Sequence, residues 1–186
     1  MSSRRVRPLT PERWPDFVDL FERRGPRGGH RNVPAYGCWC MYWRERNLGH
    51  GTPKKRAMGA LVRTGREPGL LAYDGRESVG WISVSPRDDY AAILRSPQYR
   101  PEKNEEGVWS IVCFVVDKPR QREGIAAALL EGAVEHAQKR SAAIVEAYPH
   151  LEKTGDYMGH VDLFRANGFR VVRKTKSRAI VRRKLN

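Results

Sequence analysis

The stretch Val108-Trp109-Ser110-Ile111-Val112-Cys113-Phe114-Val115-Val116-Asp117-Lys118-Pro119-Arg120-Gln121-Arg122-Glu123-Gly124-Ile125-Ala126-Ala127-Ala128-Leu129-Leu130 decides the fold. Residues 108–116 are almost all β-branched, aromatic or otherwise apolar, the composition of a strand buried on both faces at the centre of a sheet. A short polar turn follows. From about 123 to 139 the apolar residues change period: Ile125, Leu129, Ala133 and Ala137 fall on one helical stripe, with Leu130 and Val134 beside it. A buried strand leading directly into an amphipathic helix is a building unit of a sheet with helices packed on it.

Upstream, Val6–Leu9 reads as a short strand. Thr10-Pro11-Glu12 then opens a helix, since Thr is a good N-cap and Pro is tolerated at the first helical position. Trp14, Phe17, Val18 and Phe21 recur at helical spacing, and the helix is expected to stop near Gly25-Pro26. Residues 54–65 read as a second helix. Leu70–Tyr73 and Val79–Val84 read as strands joined at Asp74-Gly75, a strong hairpin signal. The polar stretch 85–107 is too long for a plain connection and is expected to cover a site, with a helical turn or two at Tyr90–Leu94. Downstream, Ala142–Ala147 is another strand and 157–167 a short helix ending at Asn167-Gly168, a good C-cap pair. Phe169–Val172 and Ala179–Arg182 form a final hairpin. With no repeats and no low-complexity linker, the expectation is one domain over residues 1–186, of α/β (α+β) class, with a mixed sheet flanked by helices.

The 186 residues carry 35 Lys and Arg against 21 Asp and Glu, a net charge of +14. A surface so positive attracts polyanions, whether nucleic acid, anionic lipid or a phosphate-rich ligand; a plain solubilising surface is the competing reading. No apolar run approaches the roughly 20 residues of a membrane span. Met1–Arg7 shows no apolar segment of a signal peptide, so a cytoplasmic protein is expected. Cys38, Cys40 and Cys113 cannot all pair, which fits free thiols. Cys38-x-Cys40 has no second pair to complete a structural zinc site, so packing beside Trp39 and Trp43 is expected in place of metal.

The chemistry is written at the strand-to-helix join. A helix N-terminus offers unpaired N–H groups and the positive end of the dipole. Gly124 lets a ligand approach the backbone, Ala126 is small enough to do the same, and Arg120 and Arg122 add positive charge. A diphosphate is the natural ligand; a plain tight turn is the alternative. The order Gln121-x-x-Gly124-x-Ala126 after a buried strand, before an Ala/Leu-rich helix, resembles the coenzyme A loop of the GNAT superfamily of N-acetyltransferases, whose pattern is Gln/Arg-x-x-Gly-x-Gly/Ala. Arg7-Pro8-Leu9 with the Trp14–Phe21 helix resembles that family's opening, and Phe164-Arg165-Ala166-Asn167-Gly168-Phe169 its late helix ending in Gly-Phe. The resemblance spans residues 5–184, most strongly 108–172. Gly37-Cys38-Trp39-Cys40-Met41-Tyr42-Trp43-Arg44 also resembles a signature of one bacterial branch of the superfamily.

The resemblance implies a mixed, twisted central sheet of about six or seven strands flanked by about four helices, and acetyl-CoA as co-substrate. Phe114, Val115 and Val116 would bind the pantetheine arm through backbone groups, like an added strand. Gln121, Arg122, Glu123, Gly124, Ile125, Ala126 and Ala127 would form the pyrophosphate loop, with the Glu123 side chain turned outward to spare the phosphates. The implied reaction is direct attack of a primary amine, from a small molecule or a peptide, on the thioester. A carboxylate, His or water chain removes the amine proton and a backbone donor polarises the carbonyl. Glu146, His150 and Glu106 are the candidate bases, a structural role competing in each case. The late-helix Tyr that commonly protonates the thiolate is Phe164 here, so either Tyr157 takes its place or the thiolate leaves unaided. Cys113 reads better as a small core residue than as a nucleophile. Residues 25–53, 85–107 and 147–157 are expected to build the acceptor pocket, with Trp39, Tyr42 and Trp43 as apolar walls and Asp88 and Asp89 attracting a cationic amine.

Two alternatives stay beside acyl transfer from acetyl-CoA. One is an aminoacyl-tRNA-dependent transferase of the same fold, since the acid-free tract 170–186 and Arg4, Arg5 and Arg7 exceed what one coenzyme needs. The other is a non-catalytic nucleic-acid-binding module. RNA through the basic termini, and a second copy of the chain as a homodimer, are the partners these readings allow.

Overall fold

The computed structural model describes residues 4–26, 29–32, 38–103, 105–152 and 157–185. A seven-stranded sheet runs in the order β1-β2-β3-β4-β5-β7-β6. The strands are β1 (Arg5–Pro8), β2 (Gly69–Asp74), β3 (Glu77–Pro86), β4 (Val108–Val116), β5 (Ile144–Ala147), β6 (Arg170–Lys174) and β7 (Ala179–Lys184). Every neighbouring pair is antiparallel except β4 and β5, which run parallel across the crossover helix. The helices are α1 (Trp14–Glu22), α2 (Thr52–Arg63), α3 (Ala91–Arg95), α4 (Ile125–Lys139) and α5 (Val161–Ala166), one more than expected because Tyr90–Leu94 matures into α3.

The sheet is covered on both faces. On one face α1 and α2 enclose Phe17, Phe21, Met58, Leu71, Trp81 and Val115. On the other, α4 and α5 enclose Leu70, Ile82, Phe114, Leu129, Leu130 and Phe164. Leu129 and Leu130 are fully buried, and each side chain of that kind contributes about 1.5–3 kcal/mol relative to exposure. β4 is buried along its whole length apart from its last residue, as its apolar run demands.

Three boundaries move for physical reasons. α1 starts at Trp14, after a 3-10 turn at Pro11–Arg13. Pro15 cannot continue an α-helix begun at Pro11, because its ring meets the carbonyl four residues back. Thr10 therefore caps nothing and accepts a hydrogen bond from Arg13 Nη1 (3.2 Å). The late helix begins at Val161, not 157: Tyr157 and Met158 lie in a turn, and Gly159 has φ +77°. β5 starts at Ile144, two residues inside the expected strand.

The aromatic segment divides. Trp39 is buried and stacked on Phe21 (centroids 5.1 Å apart), and Trp81 Nε1–H donates to Cys40 Sγ (2.8 Å). These contacts hold Trp39 and Cys40 in the left-handed region (φ +41° and +53°), which non-glycine residues seldom occupy. Tyr42 is 40 % exposed and Trp43 partly so, and both face a cavity. Residues 33–37 and 153–156, parts of the expected acceptor region, lie outside the described residues.

Candidate active site

β5 ends at Ala147, paired with Ile111, while β4 runs on to Val116. The C-terminal part of β4 thus has no parallel partner strand, and a cleft opens beside it. At its outer end Gln121 leads through Arg122 (φ +69°) to Gly124 (φ +79°), the N-cap of α4. Gly124 is the residue type that takes this conformation without cost. The first helical bond runs from Ala128 N–H to the Gly124 carbonyl (3.1 Å). The N–H groups of Gly124 through Ala127 accordingly have no acceptor inside the helix. They face a cleft of about 450 Å³ lined by Phe114, Val115, Val116, Gln121, Arg122, Gly124, Ile125, Ala126 and Ala127. Nine of the ten coenzyme residues named from sequence meet there. The amides and dipole at one end suit a diphosphate, and the apolar wall along β4 with Leu163 suits a thin, largely uncharged arm.

Glu123 is the tenth. Its carboxylate turns away to Arg120 Nε (3.0 Å) and Arg4 Nη2 (3.3 Å), the outward orientation the anion site requires. Arg120 is also bound by Asp74, so its charge is compensated within the protein and does not serve the loop as expected. Phe114 N–H is already held by the Tyr157 carbonyl (2.6 Å), so one edge group expected to meet an added strand is taken by the 157–158 turn.

Sequence reasoning missed Asn32 and Asp117, which fix this loop. Asn32 is buried; its Nδ2 donates to the Leu20 carbonyl (2.8 Å) and its Oδ1 accepts from Lys118 N–H (3.0 Å). Asp117, 1 % exposed, accepts from Arg31 Nε (2.7 Å) and Arg23 Nη1 (3.0 Å). Burial works to raise its carboxyl, but hydrogen bonds from Arg31 and Asn32 and the Arg31 charge outweigh it and hold the group below its usual range. A depressed folded-state pKa contributes stability above the unfolded value, lost as pH falls through the folded one. Asp117→Asn is therefore expected to destabilise the protein in full at pH 7, the gap to the parent closing below about pH 4. Urea denaturation at a series of pH values reads this; a gap that stays constant to pH 3 contradicts it.

A second cavity of about 540 Å³ adjoins on the α2 face, walled by Tyr42, Trp43, Tyr99, Val112, Met158 and Cys113. The β3–β4 register shifts at Ser83/Val84, so that Val84 faces Ile111 and Ser83 faces Cys113. The bulge places Val112 and Cys113 toward the same cavity, where strict alternation would separate them. Tyr157 is the residue common to the linings of both cavities. Phe164 is fully buried, its ring 5.9 Å from Phe114 and 5.3 Å from Phe169, a core position.

The other candidates lie elsewhere. Glu146 is 2 % exposed and lines neither cavity: Arg182 Nε donates to Oε2 (2.6 Å), Tyr148 Oη to Oε1 (2.6 Å), and Arg87 Nη1 lies 3.8 Å away. Burial, with the Glu146 charge, pushes the Tyr148 phenol well above its usual value, so it stays a donor. His150 is fixed by its backbone to Gly159 and Val161 and lines neither cavity. Glu106 is exposed in the turn before β4, at the opposite end of that strand from the loop. Asp89 pairs with Arg44 and Arg66 and Asp88 is exposed; neither reaches the second cavity. Among the described residues no cluster of His, Cys, Asp and Glu could hold a metal ion.

Comparison with known proteins places this geometry. No curated protein matches the chain. An N-acetyltransferase from Staphylococcus aureus matches at TM-score 0.60 and 12% identity over 100% of both chains. A ribosomal-protein-alanine N-acetyltransferase from Brucella melitensis matches at 0.58 and 16% identity over 97% of this chain and 99% of its own. The PaiA N-acetyltransferase of Thermoplasma acidophilum, solved in complex with coenzyme A, matches at 0.54 and 13% identity over 98% and 99%. At such identities the likeness is one of fold. The model of the Acetyltransferase (GNAT) family matches residues 35–169, most of the length, and the chain belongs to that family.

Proposed function

We propose that the protein transfers an acyl group, most simply acetyl, from its coenzyme A thioester to a primary amine by direct attack. The observation that carries this is a pair of neighbouring cavities beside β4, one lined by the helix-start amides at 124–127 and the other largely apolar, with Tyr157 in the lining of both. The amides of Gly124–Ala127 hold the diphosphate, and Phe114–Val116 with Leu163 line the path of the pantetheine arm. Val112 has no partner on β3 at the bulge, and its main-chain N–H is the donor assigned here to the thioester carbonyl. The acceptor ammonium gives up a proton, the amine nitrogen bonds the acyl carbon, and the carbon–sulfur bond breaks. Nitrogen releases its extra proton, and the thiolate takes one up as the thiol.

Tyr157, which lines both cavities, is the residue assigned here to protonate the thiolate. The candidate bases Glu146 and His150 reach the acceptor only through intervening groups, because neither lines its cavity. Thiol release from acetyl-CoA with a panel of amines tests the activity. Tyr157→Phe is expected to lower kcat about a hundredfold, the low end of acid–base contributions, with coenzyme affinity within twofold. An unchanged kcat removes Tyr157 from that role.

The RNA-linked reading drew on the basic C-terminal tract. There Arg173 pairs with Glu102, Arg182 with Glu105 and Glu146, and Arg183 with Glu131. Arg178 donates to the Tyr148 carbonyl (3.1 Å). Much of that charge serves the fold, which favours the acyl-CoA reading.

A further inference from the structure

The second cavity has a one-sided charge. Among the described residues, no Asp or Glu lines it. Burial pushes the Cys38 thiol in its wall up to about 11, with Cys40 adding to the effect, so that group is neutral at physiological pH. The basic residues in its lining are Arg178, Arg46, Lys54 and His50. Arg178 is committed to the Tyr148 carbonyl and Met158 Sδ. Arg46 is exposed at the mouth, its guanidinium 4.7 Å from the Tyr42 ring centre and 5.2 Å from that of Trp43.

Lys54 is the informative one. It lines the cavity and is only 3 % exposed, yet among the described residues it has no hydrogen bond or ion pair. Its ammonium lies 6.0 Å from the Tyr42 ring centre, the outer limit of a cation–π contact. It also stands in the first turn of α2, which has no acidic residue and no side-chain cap, so the helix dipole opposes its charge. A largely buried ammonium with no anion beside it among the described residues is costly in a folded protein. An anionic group on the ligand relieves both the burial and the dipole.

We propose that the acceptor is an amine that also carries a carboxylate: a free amino acid with an aromatic or large apolar side chain. Its carboxylate meets Lys54, its side chain lies against Tyr42, Trp43 and Tyr99, and its amine faces the Cys113–Tyr157 end, Tyr157 being common to both cavities. A space of about 540 Å³ accommodates a molecule of this size. The carboxylate is unchanged by the reaction; only the amine nitrogen forms a bond to the acyl carbon, with loss of one proton and release of the thiol. The inference rests on the acyl-transfer reading and names its acceptor.

The test titrates the protein with L-phenylalanine, L-phenylalaninamide and phenethylamine, with and without saturating coenzyme A, by calorimetry. L-Phenylalanine is expected to bind at least tenfold more tightly than either carboxylate-free analogue. Lys54→Met is expected to reduce that preference to twofold or less, with coenzyme titration checking its fold; if the variant does not fold, the ligand series on the parent protein still decides. Equal or tighter binding of the amide or the phenethylamine overturns the proposal. So does binding of coenzyme A with no binding of any of the three, an outcome that leaves the coenzyme assignment standing. Preferential binding of L-phenylalanine without any acetyl transfer supports the anion-reading pocket and sinks the proposed reaction instead.

Discussion

Gly124→Glu is expected to abolish coenzyme A binding, with a loss of affinity of at least a hundredfold, about 2.7 kcal/mol. Two effects combine. At φ +79° a side chain is strained by about 1–2 kcal/mol. The new carboxylate also emerges at the mouth of a loop whose amides are arranged for phosphate, where it repels the diphosphate. A Cβ at this position lies 3.4 Å from Arg4 Nη1, which is already held by the Glu123 carbonyl. Gly124→Ala separates the two effects, since it carries the strain without the charge. Calorimetric titration of both variants decides between them. Affinity of the Glu variant within fivefold of the parent sinks the assignment of this loop.

Arg182→Met is expected to cost about 3 kcal/mol of folding stability near neutral pH, because it leaves a buried carboxylate without its principal partner. Glu146 lies at the centre of the sheet, on β5 opposite Arg182 of β7, and its remaining partners are Tyr148 Oη and the more distant Arg87. Arg87, whose Nε and Nη1 lack hydrogen-bond partners and whose Nη1 lies 3.8 Å from Glu146, offsets only part of the loss, because it already stands beside the carboxylate in the parent protein. Arg182 also donates to Glu105 and so holds that carboxyl below its usual range. The double variant Glu146→Gln/Arg182→Met is expected to recover part of the loss, as the removal of both charges leaves none uncompensated. Urea denaturation measures both; a loss under about 0.5 kcal/mol for the single variant shows the pair to be dispensable, in the range of an exposed ion pair. The same chemistry bears on catalysis. Glu146 is bonded on both oxygens and lines neither cavity, so Glu146→Gln is expected to lower stability with little effect on kcat.

The elements with a strong local signal were legible. β4 and α4 follow from an apolar run and a helical stripe that need no knowledge of distant residues, and the nine cleft-lining positions follow from their chain order around Gly124. The hairpin at Asp74-Gly75 and the end of α5 at Asn167-Gly168 were equally local, since Gly75 and Gly168 adopt positive φ. The segments without periodicity were not legible. Asn32 secures the loop before α4 from a stretch of Gly, Pro and Arg with no helical or strand pattern. Asp88 and Asp89 looked like an acidic lure for an amine, but Asp89 is drawn to Arg44 and Arg66, partners 45 and 23 residues away. Glu146 and His150 were named as bases because β5 lies beside β4; which way a side chain points from a strand depends on register.

The sequence by itself determined the backbone chemistry of this protein. The proposed anion cradle consists of main-chain amides at a helix start, and their position is set by the local order of strand, glycine and helix. Only the tertiary structure decided the side-chain chemistry. It buried Glu146 among Arg182, Tyr148 and Arg87, turned Glu123 away from the cleft, placed Tyr157 in the lining of two cavities and left Lys54 facing one of them. Backbone donors follow from the conformation of a few consecutive residues. The charge and reach of a side chain follow from which remote elements pack against it, and that is settled only when the whole sheet has formed.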